Sequence, residues 1–151
     1  MVIITANYDD LQSILDLQYL AFQREAEEFN DFSIQPLNQT IDEIKNEFEK
    51  FKFMKAIDDD GRIIGSVRGY VNDGTSYICT LIVHPDFQGK GIGTQLISAI
   101  ESINQAPRYE IHSSIRCPQN IKLYEHLKFI KFRETQTSNN GFVYLEKYNV
   151  K

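Results

Sequence analysis

Tryptophan is absent from the 151 residues, and cysteine occurs only twice, as Cys79 and Cys117. Two well-separated cysteines make no disulfide framework; they fit free thiols in a reducing compartment. Neither belongs to a Cys-x-x-Cys pair, no His-Glu-x-x-His pattern occurs, and the three histidines lack metal-ligand spacing. No metal is therefore expected. No apolar run approaches the roughly 20 residues that cross a bilayer. The segment MVIITANYDD lacks the basic start and long apolar stretch of a secretory signal. The expectation is a cytoplasmic protein without membrane association. Positive charge is also short, with 16 Lys and Arg against 21 Asp and Glu and a net charge of -5. Nucleic-acid binding needs a basic surface to neutralise phosphates, so that class is set aside.

What is present suits one globular domain over residues 1–151, with 42% hydrophobic and 25% charged residues. Val2 to Thr5 reads as an edge strand. Asp9 or Asp10 can cap a helix reaching about Phe29, with Leu11, Ile14, Leu15, Phe22, Ala26 and Phe29 on one stripe. Asn30 to Asn38 reads as a loop containing Pro36. Thr40-Ile41-Asp42-Glu43 is a capping box opening a second helix. Phe53–Ile57, Arg62–Val71 and Thr75–Val83 read as strands, separated by the turn signals Asp59-Asp60-Gly61 and Asn72-Asp73-Gly74. A helix from Ile92 to Ile103, a strand from Tyr109 to Ile115, and a helix from Pro118 to about Leu127 follow. Strands at Phe129–Phe132 and Phe142–Tyr148 end the pattern, with Asn139-Asn140-Gly141 in their connection. A meander that leads into a β-α-β crossover requires a mixed sheet.

The junction HPDFQGKGIGTQL, His84 to Leu96, sits between a strand and a helix. Free N–H groups of a first helical turn, the helix dipole and glycines without Cβ atoms make a site for an anion such as phosphate. Lys90 adds a cation. The stretch is not a Walker A loop, because Gly91 follows Gly89-Lys90 and His84 stands at the first glycine position. A dinucleotide loop is a poor fit, since Thr94 holds the third glycine position, although Glu110 lies where a ribose-binding acid would. A tight turn without a ligand is the remaining alternative.

Gln88-x-x-Gly91-x-Gly93, after a strand ending Leu81-Ile82-Val83-His84-Pro85, resembles the acyl-CoA signature of the GNAT superfamily of N-acetyltransferases. Asn120-Ile121-Lys122-Leu123-Tyr124-Glu125-His126-Leu127-Lys128-Phe129 is similar to the family's later helix, which carries Asn and then Leu-Tyr before Gly-Phe. The resemblance covers the whole chain. It implies an α/β (α+β) fold with a mixed, mostly antiparallel sheet, helices on both faces and a central splayed pair of parallel strands. It implies acetyl-CoA as acyl donor, bound between Thr75–Val83 and Tyr109–Ile115. Main chain of Leu81, Ile82 and Val83 would pair with pantetheine amides. N–H groups of Gln88, Gly89, Lys90, Gly91, Ile92, Gly93 and Thr94 would hold the pyrophosphate. Asn120 would hold pantetheine or the surroundings of Tyr124. Lys128 departs from the family's glycine, at a cost of about 1 kcal/mol if the position is left-handed.

By this resemblance Tyr124 is the general acid, because a phenol stays protonated at neutral pH and donates to a departing thiolate. The strand before the glycines offers Tyr77, Cys79 and Thr80, none a ready base, and His84 reads as a turn residue. A water chain, Glu25 or Glu28 is left as the base. Cys79 and Cys117 lack an oriented base and read as small apolar residues. The first two helices and their connection would shape the acceptor pocket, giving Tyr19, Glu25 and Glu28 as substrate-side candidates; Arg68 and Tyr70, which alternate with Val67 and Val71 and share one face of a central strand, are two more. Arg68 needs a carboxylate partner, either Glu25 or Glu28 or one on the substrate. The expected reaction is acetyl transfer to a primary amine of a small molecule or peptide. A non-catalytic acyl-CoA-binding or sensor module is the alternative. Acidic residues near the pocket point to a cationic acceptor, and edge strands near both termini leave a homodimer open.

Overall fold

A computed structural model describes residues 1–137 and 140–149; Asn139 of the last expected turn lies outside the described residues. β1 (Val2–Thr5) is the edge strand its β-branched run predicts. The Asp10 carboxylate accepts the Asn7 N–H at 2.7 Å and pairs with Lys55 at 2.7 Å, so it braces the turn and does not cap the helix that follows. α1 (Leu11–Phe29) buries Leu11, Ile14, Leu15 and Ala26 and stops at Asn30, whose φ of 48° is a left-handed terminus that asparagine tolerates. The connection expected to be a loop holds one short helix, α2 (Gln35–Asn38), with Pro36 in the first turn, where its fixed φ is already helical. The capping box is present at α3 (Ile41–Lys50): Glu43 N–H donates to Thr40 Oγ1 at 3.2 Å and Thr40 N–H to Glu43 Oε1 at 2.9 Å. Such a cap contributes about 1 kcal/mol.

β2 (Lys52–Ile57), β3 (Ile63–Asn72) and β4 (Thr75–Val83) form the antiparallel meander. Asp73 and Gly74 both have positive φ, 48° and 79°, as a two-residue hairpin turn requires. Then come α4 (Ile92–Ile103), β5 (Arg108–Ser114), α5 (Pro118–His126), β6 (Ile130–Gln136) and β7 (Gly141–Tyr148). β6 runs four residues past the expected end at Phe132 although all of it is exposed. Its ladder with β7, not burial, sets its length. The seven strands lie in the order β1-β2-β3-β4-β5-β7-β6, and β4–β5 is the parallel pair. α4 and α5 cover one face over Val67, Ile78, Ile111 and Leu145. α1 and α3 cover the other over Phe53 and Ile82.

The parallel pair is short, running from Thr75 opposite Arg108 to Ile78 opposite Ile111. Just beyond, Arg68 faces Cys79 and Ser66 faces Ile82, so Thr80 and Leu81 together oppose Val67. This β-bulge holds Thr80 at φ 40°, a conformation that costs a β-branched residue about 1–3 kcal/mol. It turns β4 away from β5. From there on, the facing main chains of Cys79–Val83 and 112–114 have no strand partner in each other, and a gap opens through the sheet.

Candidate functional site

The glycine stretch is built by backbone conformation. Gly89 and Gly91 have φ of 76° and 81°, and a Cβ on either would meet no atom within 4 Å. Conformation, not crowding, therefore selects glycine at both places. Gly91 O accepts the first helical bond of α4 from Gln95 N–H at 3.1 Å. The N–H groups of Ile92, Gly93 and Thr94 consequently leave the helix without an acceptor inside it. Gly93 differs: its φ is not left-handed, and a Cβ there would make ordinary contacts, 3.4 Å from Leu123 and 3.6 Å from Leu81.

These elements enclose a cavity of about 790 Å³. Leu81, Ile82 and Val83 form one wall, and Gln88, Gly89, Gly91, Ile92, Gly93 and Thr94 the end beneath the α4 N-terminus; Asn120 faces them from α5. Lys90 alone of residues 88–94 lies outside the lining, with Nζ 5.2 Å from the centroid of the Phe87 ring. His84 is a turn residue: its Nδ1 accepts the Asp86 N–H at 3.1 Å. Free N–H groups and a helix N-terminus at one end, and a strand wall that pairs with β3 but has no strand partner toward β5, fit a ligand with a pyrophosphate and an amide-bearing arm; Val83 O accepts from Gln88 Nε2 at 3.3 Å.

A second cavity of about 430 Å³ adjoins the first and shares Phe22, Glu25, Leu81, Cys117 and Asn120 with it. Tyr124 lines it, only 4% exposed and edge-on to Phe129. Burial pushes its phenol well above the ordinary range, and the neighbouring Cys117 adds to this. Tyr124 therefore keeps its proton at neutral pH. Lys128, just after α5, has φ 80°, the left-handed conformation for which the family's pattern places glycine. The Cys117 thiol is pushed up to about 12 by burial and by Glu25, and the Cys79 thiol to about 11 by burial. Both shifts favour the protonated thiol at neutral pH.

Arg116 lines the larger cavity, and no motif or spacing in the sequence marks it. Its guanidinium lies 3.0 Å from Asp31 Oδ2, 3.7 Å from Glu25 Oε2, and 4.9 Å from the Phe29 ring centroid. Glu25 Oε1 accepts the Cys117 thiol at 3.3 Å. Hydrogen bonds from Ser33 and Arg116 hold the Asp31 carboxyl below the usual carboxylate range. Glu28 lines the larger cavity only. His112, also missed, lines the smaller cavity, stacks on Tyr144 at 5.4 Å and meets Phe142 edge-on. Crowding by protein lowers its pKa, with Arg133 acting in the same direction and Glu110 against it. Its surface is still exposed, so water moderates that shift. Glu110 itself pairs with Arg108 at 2.9 Å.

Three substrate-side candidates fall elsewhere. Arg68 is 2% exposed and pairs with Glu47 of α3 through Nε at 2.7 Å, not with Glu25 or Glu28. Its other nitrogens donate to Gln18 Oε1 at 3.1 Å and Gln39 Oε1 at 2.9 Å. Periodicity shows that Arg68 faces the helices but not which helix carries its partner. Tyr70 is stacked between Phe51 and Tyr77, with centroids at 4.8 and 5.0 Å. Tyr19 donates its hydroxyl to Gln39 O. None of the three lines either cavity. No group of three or more His, Cys, Asp or Glu suited to a metal occurs among the described residues, and no helix there is long and apolar enough to cross a membrane.

Among known proteins, the chain is 28% identical over 133 residues to UPF0157 protein YqkA of Bacillus subtilis (strain 168), covering 87% of this chain but 38% of that relative. The chain thus spans well under half of that relative's length. The PaiA N-acetyltransferase of Thermoplasma acidophilum, solved with coenzyme A, superposes with a TM-score of 0.81 at 14% identity over 99% of this chain and all of that one. A phosphinothricin acetyltransferase of Sinorhizobium meliloti, solved with AcCoA, gives 0.77 at 17% identity over 97% and 87% of the two chains. At such identities the likeness is one of fold. The family model described as the acetyltransferase (GNAT) family matches residues 10–129, which take in the bulged strand, the glycine stretch and the Tyr124 helix. This chain belongs to the GNAT family of acetyltransferases.

Proposed function

We propose that the protein transfers the acetyl group of acetyl-CoA to a primary amine by direct attack. The observation that carries this reading is the meeting of the two cavities through the gap between β4 and β5. The larger suits the donor: the α4 N-terminus takes the pyrophosphate, and the main chain of Leu81–Val83 takes the pantetheine amides. The smaller admits the acceptor from the α1–α2 side. The two reactants meet where Cys117 and Asn120 belong to both. This is the orientation effect on which a bimolecular acyl transfer most depends.

The proton inventory fits as well. The amine nitrogen forms a bond to the acetyl carbon, the carbon–sulfur bond breaks, and Tyr124 gives its proton to the departing thiolate. The acceptor reacts as the free amine; His112, whose pKa the surrounding protein lowers, takes the proton that nitrogen loses and passes it to solvent. Solvent then returns a proton to Tyr124. The products are an N-substituted acetamide and the free thiol. The test is Tyr124→Phe, which keeps the ring against Phe129 and removes only the hydroxyl. Thiol release falls by about 10²-fold or more, while acetyl-CoA still raises the melting midpoint. An unchanged rate would remove Tyr124 from the mechanism.

A further inference from the structure

We propose that Arg116 is a positioning residue: its guanidinium clasps the end of α1 to the turn that opens α5, and so sets the geometry at which the two cavities meet; this rests on the acetyl-transfer reading above. Pairing between β4 and β5 stops at Ile78 opposite Ile111. α1 packs in the core cluster that holds Ile82, and Tyr124 of α5 in the cluster on the other face of the sheet. Beyond the last strand pair, no ladder between β4 and β5 fixes the end of α1 against the start of α5. Arg116 spans that opening. Its Nη1 donates to Asp31 Oδ2 at 3.0 Å and lies 3.7 Å from Glu25 Oε2, and its guanidinium covers the Phe29 ring. The next residue repeats the link, since the Cys117 thiol donates to Glu25 Oε1 at 3.3 Å.

Stability alone does not account for this cluster. The Arg116 side chain is 5% exposed, with Glu25 at 10% and Asp31 at 17%. Taking charges out of water costs about as much as their attraction returns, and well-packed apolar residues commonly hold a fold as well. What a buried guanidinium adds is direction, because a planar fork meets carboxylates and a ring face together in one orientation. Both ends of the clasp are anchored. Asp31 Oδ1 accepts from Ser33 N–H at 3.1 Å and Oγ at 2.5 Å, and Asp31 N–H donates to Ala26 O at 2.9 Å, which ties the carboxylate to the end of α1. Ser114 Oγ accepts the Arg116 N–H at 3.2 Å, which ties the arginine to the end of β5. Phe22 and Glu25 of α1 line both cavities, as do Cys117 and Asn120 on the α5 side. The clasp thus sets the spacing of the walls between which amine and thioester meet. The seats of the pyrophosphate and the pantetheine, on the α4 N-terminus and β4, stand apart from it.

The test compares Arg116→Met and Arg116→Lys with the parent, using butylamine as the acceptor probe and counting competent molecules by the acetyl-CoA they bind. Arg116→Met leaves two carboxylates without their cation, so its melting midpoint falls. Arg116→Lys keeps a cation there and recovers the midpoint, but its single ammonium cannot reproduce the fork. In both variants kcat per competent molecule is expected to fall about tenfold or more, since misplacement of reacting groups by about 1 Å is enough for that. KM for acetyl-CoA stays within about twofold of the parent, because the donor's seats are untouched. Adding Asp31→Asn to Arg116→Met lowers kcat no further. Amide hydrogen exchange needs no acceptor: in both variants residues 26–33 and 116–120 exchange faster together, while α3 keeps the parent's rate. A lysine variant that recovers kcat along with its midpoint makes the arginine a matter of stability and overturns the proposal. So does exchange at the two segments left at the parent's rate. Transfer absent in the parent while acetyl-CoA still raises the midpoint overturns the acetyl-transfer reading and the proposal with it.

Discussion

Replacing Glu47 by Gln removes the only carboxylate in contact with the Arg68 guanidinium among the described residues. Arg68 stays charged despite burial that lowers its pKa, and Glu47 opposes that lowering. The Nε–Oε1 distance is 2.7 Å but the angle misses hydrogen-bond geometry, so the contact acts mainly through charge. Breaking a buried pair typically costs about 3–5 kcal/mol, because the remaining charge is left uncompensated. Here the Glu47 side chain is 27% exposed, so water already screens part of the attraction, and Gln18 and Gln39 still accept from Arg68. That places the cost lower, at about 2–3 kcal/mol, or roughly 5–10 °C of melting midpoint for a domain of this size. The consequence reaches the acceptor wall. Glu47 Oε2 accepts from Gln39 at 2.7 Å, Gln39 accepts from Gln18 at 2.9 Å, and Gln18 donates to Pro36 O at 2.8 Å. Pro36 lines the smaller cavity. Scanning calorimetry reads the first effect; steady-state kinetics read the second, as a raised KM for the amine with KM for acetyl-CoA unchanged. Arg68→Met, combined with Glu47→Gln, recovers part of the lost stability by removing the orphaned cation. A Glu47→Gln protein that melts within about 1 °C of the parent would refute the reasoning, since a stranded buried charge costs more than that.

Two further outcomes follow from single residues. Lys128→Gly removes the penalty of a left-handed lysine, about 1 kcal/mol before the glycine's extra unfolded-state freedom is subtracted; calorimetry should show a midpoint raised by roughly 1–3 °C, and a fall would mean that the lysine side chain stabilises the turn. For His112, the lowered pKa means that the neutral base persists to below the ordinary value of 6.5. Turnover at saturating substrates is therefore flat through pH 7 and falls only below that value; in His112→Gln the acid limb disappears and kcat drops about 10²-fold, whereas a limb that survives the substitution assigns it to another group.

The elements most legible in the sequence are those fixed by local chemistry. Thr40 with Glu43 marks the start of α3, Asp73-Gly74 marks a hairpin, and the bounds of β4 and α4 follow from apolar runs broken by glycine. The glycine end of the larger cavity is legible for the same reason, because a helix N-terminus and two left-handed glycines are local features. The smaller cavity is not. Arg116, Asp31 and Glu25 are brought together from α1, its following turn and the segment before α5, and no spacing announces that meeting. His112 matters only because the Thr80 bulge ends the parallel pairing one residue before it, and a bulge depends on the register of two strands at once. Arg68 was assigned the right face and the wrong partner, since a period of two fixes the side of a strand but not the helix above it. β6 extends through polar, exposed residues that its own pattern does not mark as strand.

The claim on which the rest depends is that the gap between β4 and β5 is a working acetyl-CoA site. Its most direct test is the melting midpoint of the protein with and without acetyl-CoA, with NAD and ATP as controls. Ligand at one hundred times its dissociation constant adds about 2.7 kcal/mol, which for this size raises the midpoint by roughly 5–10 °C. A rise of that order with acetyl-CoA and none with NAD or ATP is the predicted result. A midpoint unmoved by millimolar acetyl-CoA would contradict the account at its foundation.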